Sequence, residues 1–133
     1  MAITQERNSN NLASLDKRFI GQFLDGLISW SIFLGIFSSL NNFIDGGATL
    51  YIASGLSLLY FLFSDAFAGG QSVGKKIAKI KVVKKGTEKP CSIVQSFFRN
   101  ITFPLGLIDW VSIFFSSRRR LGDFIANTEV INR

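Results

Sequence analysis

The sequence predicts an all-α membrane protein: two transmembrane helices, a broken and re-entrant third apolar segment, and a small cytoplasmic two-stranded β element. Three observations predict it. Residues 19–40 (FIGQFLDGLISWSIFLGIFSSL) and 49–67 (TLYIASGLSLLYFLFSDAF) are apolar runs with almost no polar face. At about 1.5 Å per residue, each can cross a hydrocarbon layer of about 30 Å. Charge is segregated from these runs: the 133-residue chain has a formal net charge of +6, no lysine within 18–74 and seven lysines within 75–89. Finally, a ten-residue pattern of glycine, isoleucine, alanine and valine occurs twice, which suggests two similar helix-then-strand units.

At this length there is room for one domain. Residues 1–13 read as a disordered polar tail and 14–133 as the membrane domain, with Ser14 placed to cap the first helix. The first span follows Lys17 and Arg18, and Arg18 can reach back to the membrane surface. Asp25 is the only ionisable residue inside it. Arg18, Gln22 and Asp25 are spaced i, i+4, i+7, so they line one helix face, and that face must meet protein because a carboxylate against lipid is costly. Gly21, Gly35 and the serines can admit a neighbouring helix.

A short polar turn without Lys or Arg leads to the second span, which carries Asp65 near its far end. The positive-inside rule then puts the N-terminus and the lysine cluster in the cytoplasm and residues 41–48 outside. Residues 69–90 form the basic cytoplasmic segment. Gly69-x4-Gly74-Lys75 resembles the start of a phosphate-binding loop, but Lys76 stands where Ser or Thr must bind Mg²⁺, and a membrane helix precedes it in place of a strand. Nucleotide binding is therefore disfavoured.

The third apolar segment, 92–115, contains Arg99, Pro104, Gly106 and Asp109. Pro104 removes a helical hydrogen bond, and both flanks are basic, the second being Arg118-Arg119-Arg120. A full crossing would put that triple arginine outside, so a re-entrant course is expected, followed by a cytoplasmic unit over 118–133. The echo agrees: Gly74–Val83 aligns without gaps on Gly122–Ile131, and two such units can pair about a pseudo-twofold axis on one side of the membrane.

Several function classes are excluded. With one Cys and no His, the chain forms no internal disulfide, no Cys–His dyad and no zinc site. Cys91 reads as a small semi-buried residue at a helix start. No nucleophile motif or metal cluster suggests an enzyme, and no cofactor is implied. The basic surplus flanks apolar spans, which points to anionic headgroups rather than nucleic acid. Lys75, Lys76, Lys79, Arg118, Arg119 and Arg120 are the expected headgroup contacts.

Three stretches carry a family resemblance. Arg18-Phe-Ile-Gly-Gln-Phe-Leu-Asp25-Gly resembles the first-helix signature of the RDD family of small bacterial integral membrane proteins. Gly70-Gln-Ser-Val-Gly-Lys75 through Val83 resembles its G-Q-[ST]-x-G-K…V-V segment. Arg120-Leu-Gly-Asp123 through Ile131 resembles its C-terminal segment, and Arg99 stands where a family arginine precedes the last apolar stretch. The resemblance covers roughly residues 14–132 and departs at Gln22, where the family often has Ala. It assigns the second family aspartate to Asp123, with Asp65 as the rival.

The resemblance implies a multi-pass protein of the bacterial cytoplasmic membrane. It also implies transport of an unnamed ligand, with exchange of monovalent cations for protons proposed for some members. The coupling candidates are Asp25, Asp109, Asp65 and Asp123, with Arg18, Arg99 and Gln22 as charge partners. A carboxylate in low dielectric has its protonated form favoured, which lets proton and cation compete for it. In the alternative, Arg18–Asp25 and Arg99–Asp109 are ion pairs that fix packing, and the protein is a membrane scaffold binding anionic lipid or a partner protein. Two spans enclose little volume, so transport requires a homo-oligomer, most simply a dimer.

Overall fold

The computed structural model describes residues 11–67, 69–106, 108, 111 and 119–133. Helix α1 runs Leu15–Leu40 and α2 runs Gly46–Phe63, continuing through a 3-10 turn at Ser64–Ala66. Both are long and apolar enough to cross a membrane. Their surfaces settle which kind of apolar helix they are. A core helix of a soluble protein hides its large side chains, whereas here Trp30 is 64% exposed and Tyr51 80% exposed, with Phe19, Phe23, Leu34, Leu58 and Leu59 also exposed. The buried residues of α1 are Arg18, Gly21, Gln22 and Asp25. This inside-out pattern fits a lipid solvent.

The connection between the spans is a turn at residues 41–45. Asp45 caps α2 by accepting from the backbone N–H groups of Gly47 (2.9 Å) and Ala48 (3.4 Å), which satisfies two of the orphan donors at a helix start. Midway along the pair, Ser29 and Ser57 exchange hydrogen bonds, with 2.8 Å between their hydroxyls and 2.8 Å from Ser57 Oγ to the Ser29 carbonyl. The serines thus make the close approach; Gly35 has no neighbour within 4 Å of a built Cβ.

Below the spans the chain forms α3 (Val73–Ile77), β1 (Ile80–Lys84), α4 (Ile93–Ile101), a 3-10 turn at Phe103–Leu105, α5 (Leu121–Ala126) and β2 (Thr128–Asn132). β1 and β2 pair antiparallel with Val82 opposite Val130. The sequence echo aligns these same two valines, so the observed register obeys a local twofold axis between them. Other details repeat across that axis. Lys79 and Asn127 both take left-handed backbone, with φ of 56° and 54°. Gln71 donates to the Ile80 carbonyl at 2.8 Å, and its equivalent Arg119 donates to the Thr128 carbonyl at 3.1 Å. Gly74 lies against the Gly21 carbonyl and Asp25, while Gly122 lies against the Arg99 carbonyl and Thr102. A side chain at either glycine would collide with backbone.

The apolar core is small, built from Ala13, Ile80, Val82, Cys91 and Val130. Burial pushes the Cys91 thiol up to about 11. Two expectations change here. Residues 11–13 are not a loose tail: Leu12 bridges to Ile131, Ala13 donates to the Val130 carbonyl at 2.9 Å, and Ala13 is fully buried. An open edge of β2 supplies the backbone partners that no sequence pattern announced. The first span starts earlier than expected, at Leu15, with Ser14 at its N-cap but without a side-chain cap bond. The third segment is broken where Pro104 and Gly106 foretold, with α4 ending at Ile101 and Gly106 at φ 55°. Its re-entrant course, and Asp109 and Arg118 with it, lie outside the described residues.

Candidate functional site

One helix end and two polar stripes bring the charged residues together. The stripe on α1 carries Arg18, Gln22 and Asp25 into the protein. The C-terminal end of α2 carries Asp65 in its 3-10 turn, and its last carbonyls need partners. α4 supplies them: Ser96 Oγ donates to the Leu62 carbonyl at 2.8 Å, and Asn100 Nδ2 donates to the Phe61 carbonyl at 3.2 Å. Ser96, Arg99 and Asn100 are the buried residues of α4, at i, i+3 and i+4, so docking that face delivers Arg99 to the junction.

The result is an alternating ladder of charge. Asp25 accepts from Ser72 Oγ, from Gly74 N at 2.9 Å and from Lys75 Nζ at 3.4 Å. Lys75 also bonds Asp65. Asp65 in turn pairs with Arg99 Nε at 2.8 Å and accepts from Asn100 Nδ2 at 3.2 Å. Arg99 Nη1 reaches Asp123 at 2.6 Å, and Arg18 Nη1 approaches the same carboxylate at 3.6 Å. Asp25 is 1% exposed, and Asp65 and Asp123 are 0% exposed.

Asp123 is also tied into its own helix start, accepting from Arg120 N at 3.3 Å. Burial alone would push its carboxyl up. The guanidinium of Arg99, followed by those of Arg120 and Arg18, outweighs burial and holds it below the ordinary carboxylate range. Arg120 Nη1 donates to Gln22 Oε1 at 3.1 Å, and Arg18 Nη2 donates to the Val130 carbonyl at 3.2 Å. Arg119 donates to the Asp123 carbonyl at 3.1 Å and lies over the Phe124 ring.

The structure therefore brings together Asp25, Asp65, Asp123, Arg18, Gln22 and Arg99. It changes their pairing: Arg18 meets Asp123 rather than Asp25, and Asp25 is held by Lys75. Lys75, Arg119 and Arg120, expected at the headgroups, are instead buried. The reason is electrostatic, since three carboxylates inside an apolar shell require cations beside them. Lys76 and Lys79 are exposed, as a headgroup contact needs. Sequence reasoning missed Ser72 and Asn100. For Asn100 the available signal was the polar i, i+3, i+4 set on α4, Ser96, Arg99 and Asn100.

Among the described residues no group of three or more His, Cys, Asp or Glu could hold a metal ion. A groove of about 600 Å³ opens between α1, α2 and Phe103, lined by Gly26, Ser29, Trp30, Phe33 and Ser57 among others, with no ionisable side chain among the described lining residues. It begins one residue beyond Asp25.

A family model, that of the RDD family, matches residues 12–127. No curated protein and no solved structure matches the chain.

Proposed function

The chain belongs to the RDD family, and from that premise we propose that it exchanges monovalent cations for protons, with Asp25 and Asp65 as the exchanging pair. One observation carries the reading: a single ammonium, that of Lys75, is shared by carboxylates borne on two different spans. An ammonium held by two carboxylates is a resident monovalent cation. Its oxygen neighbours, Asp25 Oδ2 and Asp65 Oδ1, are the hard ligands that Na⁺ or Li⁺ prefers, and Ser72 Oγ donates to Asp25 Oδ2. When Lys75 withdraws, the pair can take a metal cation; protonation of one carboxylate releases it, so one proton replaces one cation at constant charge. Arg99 on the far side of Asp65 limits how much positive charge the pair can hold.

The protein would work in the bacterial cytoplasmic membrane as a multi-pass protein with a cytoplasmic N-terminus and no enzymatic step. Lys76 and Lys79 would meet anionic headgroups there. A homodimer would supply the second wall of the pathway, since two spans enclose none. The groove beside Gly26 gives such a pathway an outward direction.

A second reading rests on a different observation, the near-complete burial of all three aspartates, each with a cation beside it. In that reading the ladder is a permanent latch in a non-transporting membrane scaffold. Proteoliposomes with an imposed pH gradient separate the two. Exchange predicts that Na⁺, K⁺ or Li⁺ dissipates the gradient through the wild type and not through folded Asp25→Asn. Absence of flux for all three cations with well-folded wild type leaves the scaffold.

A further inference from the structure

We propose that α4 is a half-helix embedded in the leaflet where α1 begins, with its outer face turned to lipid acyl chains. The twofold axis between β1 and β2 reaches beyond the strands and gives α4 a counterpart: residues 90–103 repeat residues 12–25 without a gap. Leu12 bridges to Ile131 at one edge of the sheet, and Pro90 bridges to Val83 at the other. Ala13 N donates to the Val130 carbonyl at 2.9 Å, and Cys91 N donates to the Val82 carbonyl at 3.2 Å. Ser14 and Ser92 are the N-cap residues of α1 and α4. Gly74 lies against the Gly21 carbonyl, and Gly122 lies against the Arg99 carbonyl. α4 is thus the twofold mate of the first turns of the apolar span α1.

The side chains sort alike on both helices. Arg18, Gly21 and Gln22 are buried on α1, and so are their mates Ser96, Arg99 and Asn100 on α4. Ile20 and Phe23 are exposed on α1, and so are their mates Phe98 and Ile101 on α4. The exposed pair on α1 belongs to the apolar surface of a span, so the pair on α4 calls for the same solvent. Ile93 and Val94 extend that face to the helix start, at 65% and 63% exposed, and an apolar patch of this kind marks a contact surface. Contacts with α2 fix the direction. Phe97 stacks on Phe63 with 5.9 Å between ring centroids, and Phe103 lies 4.9 Å from Phe61. α4 therefore climbs α2 from its end towards its middle, as α1 does, and the twofold axis stands along the membrane normal. Its nine residues rise about 14 Å, half of a hydrocarbon layer of about 30 Å. A helix can stop at that depth only if its last carbonyls are satisfied. The Arg99 carbonyl accepts from Thr102 Oγ1 at 3.1 Å, and the Thr102 carbonyl accepts from Leu105 N at 2.9 Å. α4 is then the wall that separates the charged ladder from lipid. This inference does not depend on cation exchange at Asp25 and Asp65.

The test is the depth of nitroxide labels on the full chain in liposomes. Phe98→Cys and Ile101→Cys are labelled singly and compared with Ile20→Cys and Phe23→Cys; native Cys91 is buried, and the unsubstituted chain is the blank. Oxygen, which concentrates among acyl chains, and a nickel chelate, which stays in water, report the depth of each label by spin relaxation. Each α4 label should lie within one helical turn, about 5 Å, of the depth of its α1 mate. Nickel access at Phe98 and Ile101 equal to that of a label on exposed Glu88 puts α4 in water and overturns the proposal. Labels shielded from both agents, with spin broadening that unlabelled chain dilutes away, give the face to a second copy and also overturn it. Should the labelled variants fail to fold, a photoactivatable phospholipid added to the wild type decides. Adducts within residues 93–101 support the lipid contact, and adducts confined to the two spans overturn it.

Discussion

The outer half of the helix pair and the junction beneath it are held together by opposite means. From Gly26 onward, α1 and α2 meet through apolar surfaces and one serine pair, Ser29 with Ser57. Below Asp25, charged side chains link α1, α2, α3, α4 and α5 in one ladder, with Gln22, Ser72, Ser96 and Asn100 adding polar bonds to it. In lipid, apolar surface gains nothing by leaving its solvent, so helix pairs rely on packing and on modest polar bonds. Charges gain everything by meeting each other. The strength of this molecule therefore lies where its sequence is least hydrophobic, and substitutions should rank accordingly.

Arg99→Leu is the largest expected effect. It leaves both Asp65 and Asp123 short of a partner, and breaking a buried pair on one side costs about 3–5 kcal/mol. Loss of folded protein on size exclusion in detergent is the expected outcome; normal recovery would break the comparison. Gly122→Ala comes next. A Cβ there meets the Arg99 carbonyl and Thr102, and overpacking of this kind costs about 1–3 kcal/mol. Its thermal midpoint should fall clearly below that of Gly35→Ala, whose surroundings are open.

Acid sharpens the contrast. The Asp123 carboxyl is held below the ordinary value of 3.8 by Arg99, Arg120 and Arg18 against the opposing pull of burial. A depressed native value means that the unfolded chain binds the proton first. Stability from this residue is full above 3.8 and declines as pH falls below it, through the depressed native value. Unfolding across this window should be steeper for the wild type than for Asp123→Asn. Ser29→Ala is the smallest effect, about 0.6 kcal/mol, as polar contacts between membrane helices average. A loss comparable to that of Arg99→Leu would contradict the ranking.

Much of this was legible in the residues. Three polar side chains at helical spacing inside an apolar run predicted that α1 buries Arg18, Gln22 and Asp25, and it does. The glycine–isoleucine–alanine–valine echo predicted paired units, and Val82 opposite Val130 realises them. The pairing was not legible. Asp25 finds Lys75 and Arg18 finds Asp123 across long stretches of chain, and no local period encodes such matches. A lysine or arginine run ordinarily reads as a solvated face. Lys75, Arg119 and Arg120 leave that face because the fold sets carboxylates beneath them, a fact visible only in three dimensions. Residues 11–13 carry no strand signal, and the edge of β2 gives them order.

The most direct test of the central claim, that the Lys75 ammonium fills a cation site between two spans, is the thermal stability of Lys75→Gln in Na⁺, Li⁺ and a bulky organic cation. Removing the ammonium leaves Asp25 and Asp65 facing each other without it. The account predicts that the variant gains stability in Na⁺ or Li⁺ over the organic cation, while the wild type, its site filled, is indifferent to the choice. A folded Lys75→Gln with the same midpoint in all three would contradict it.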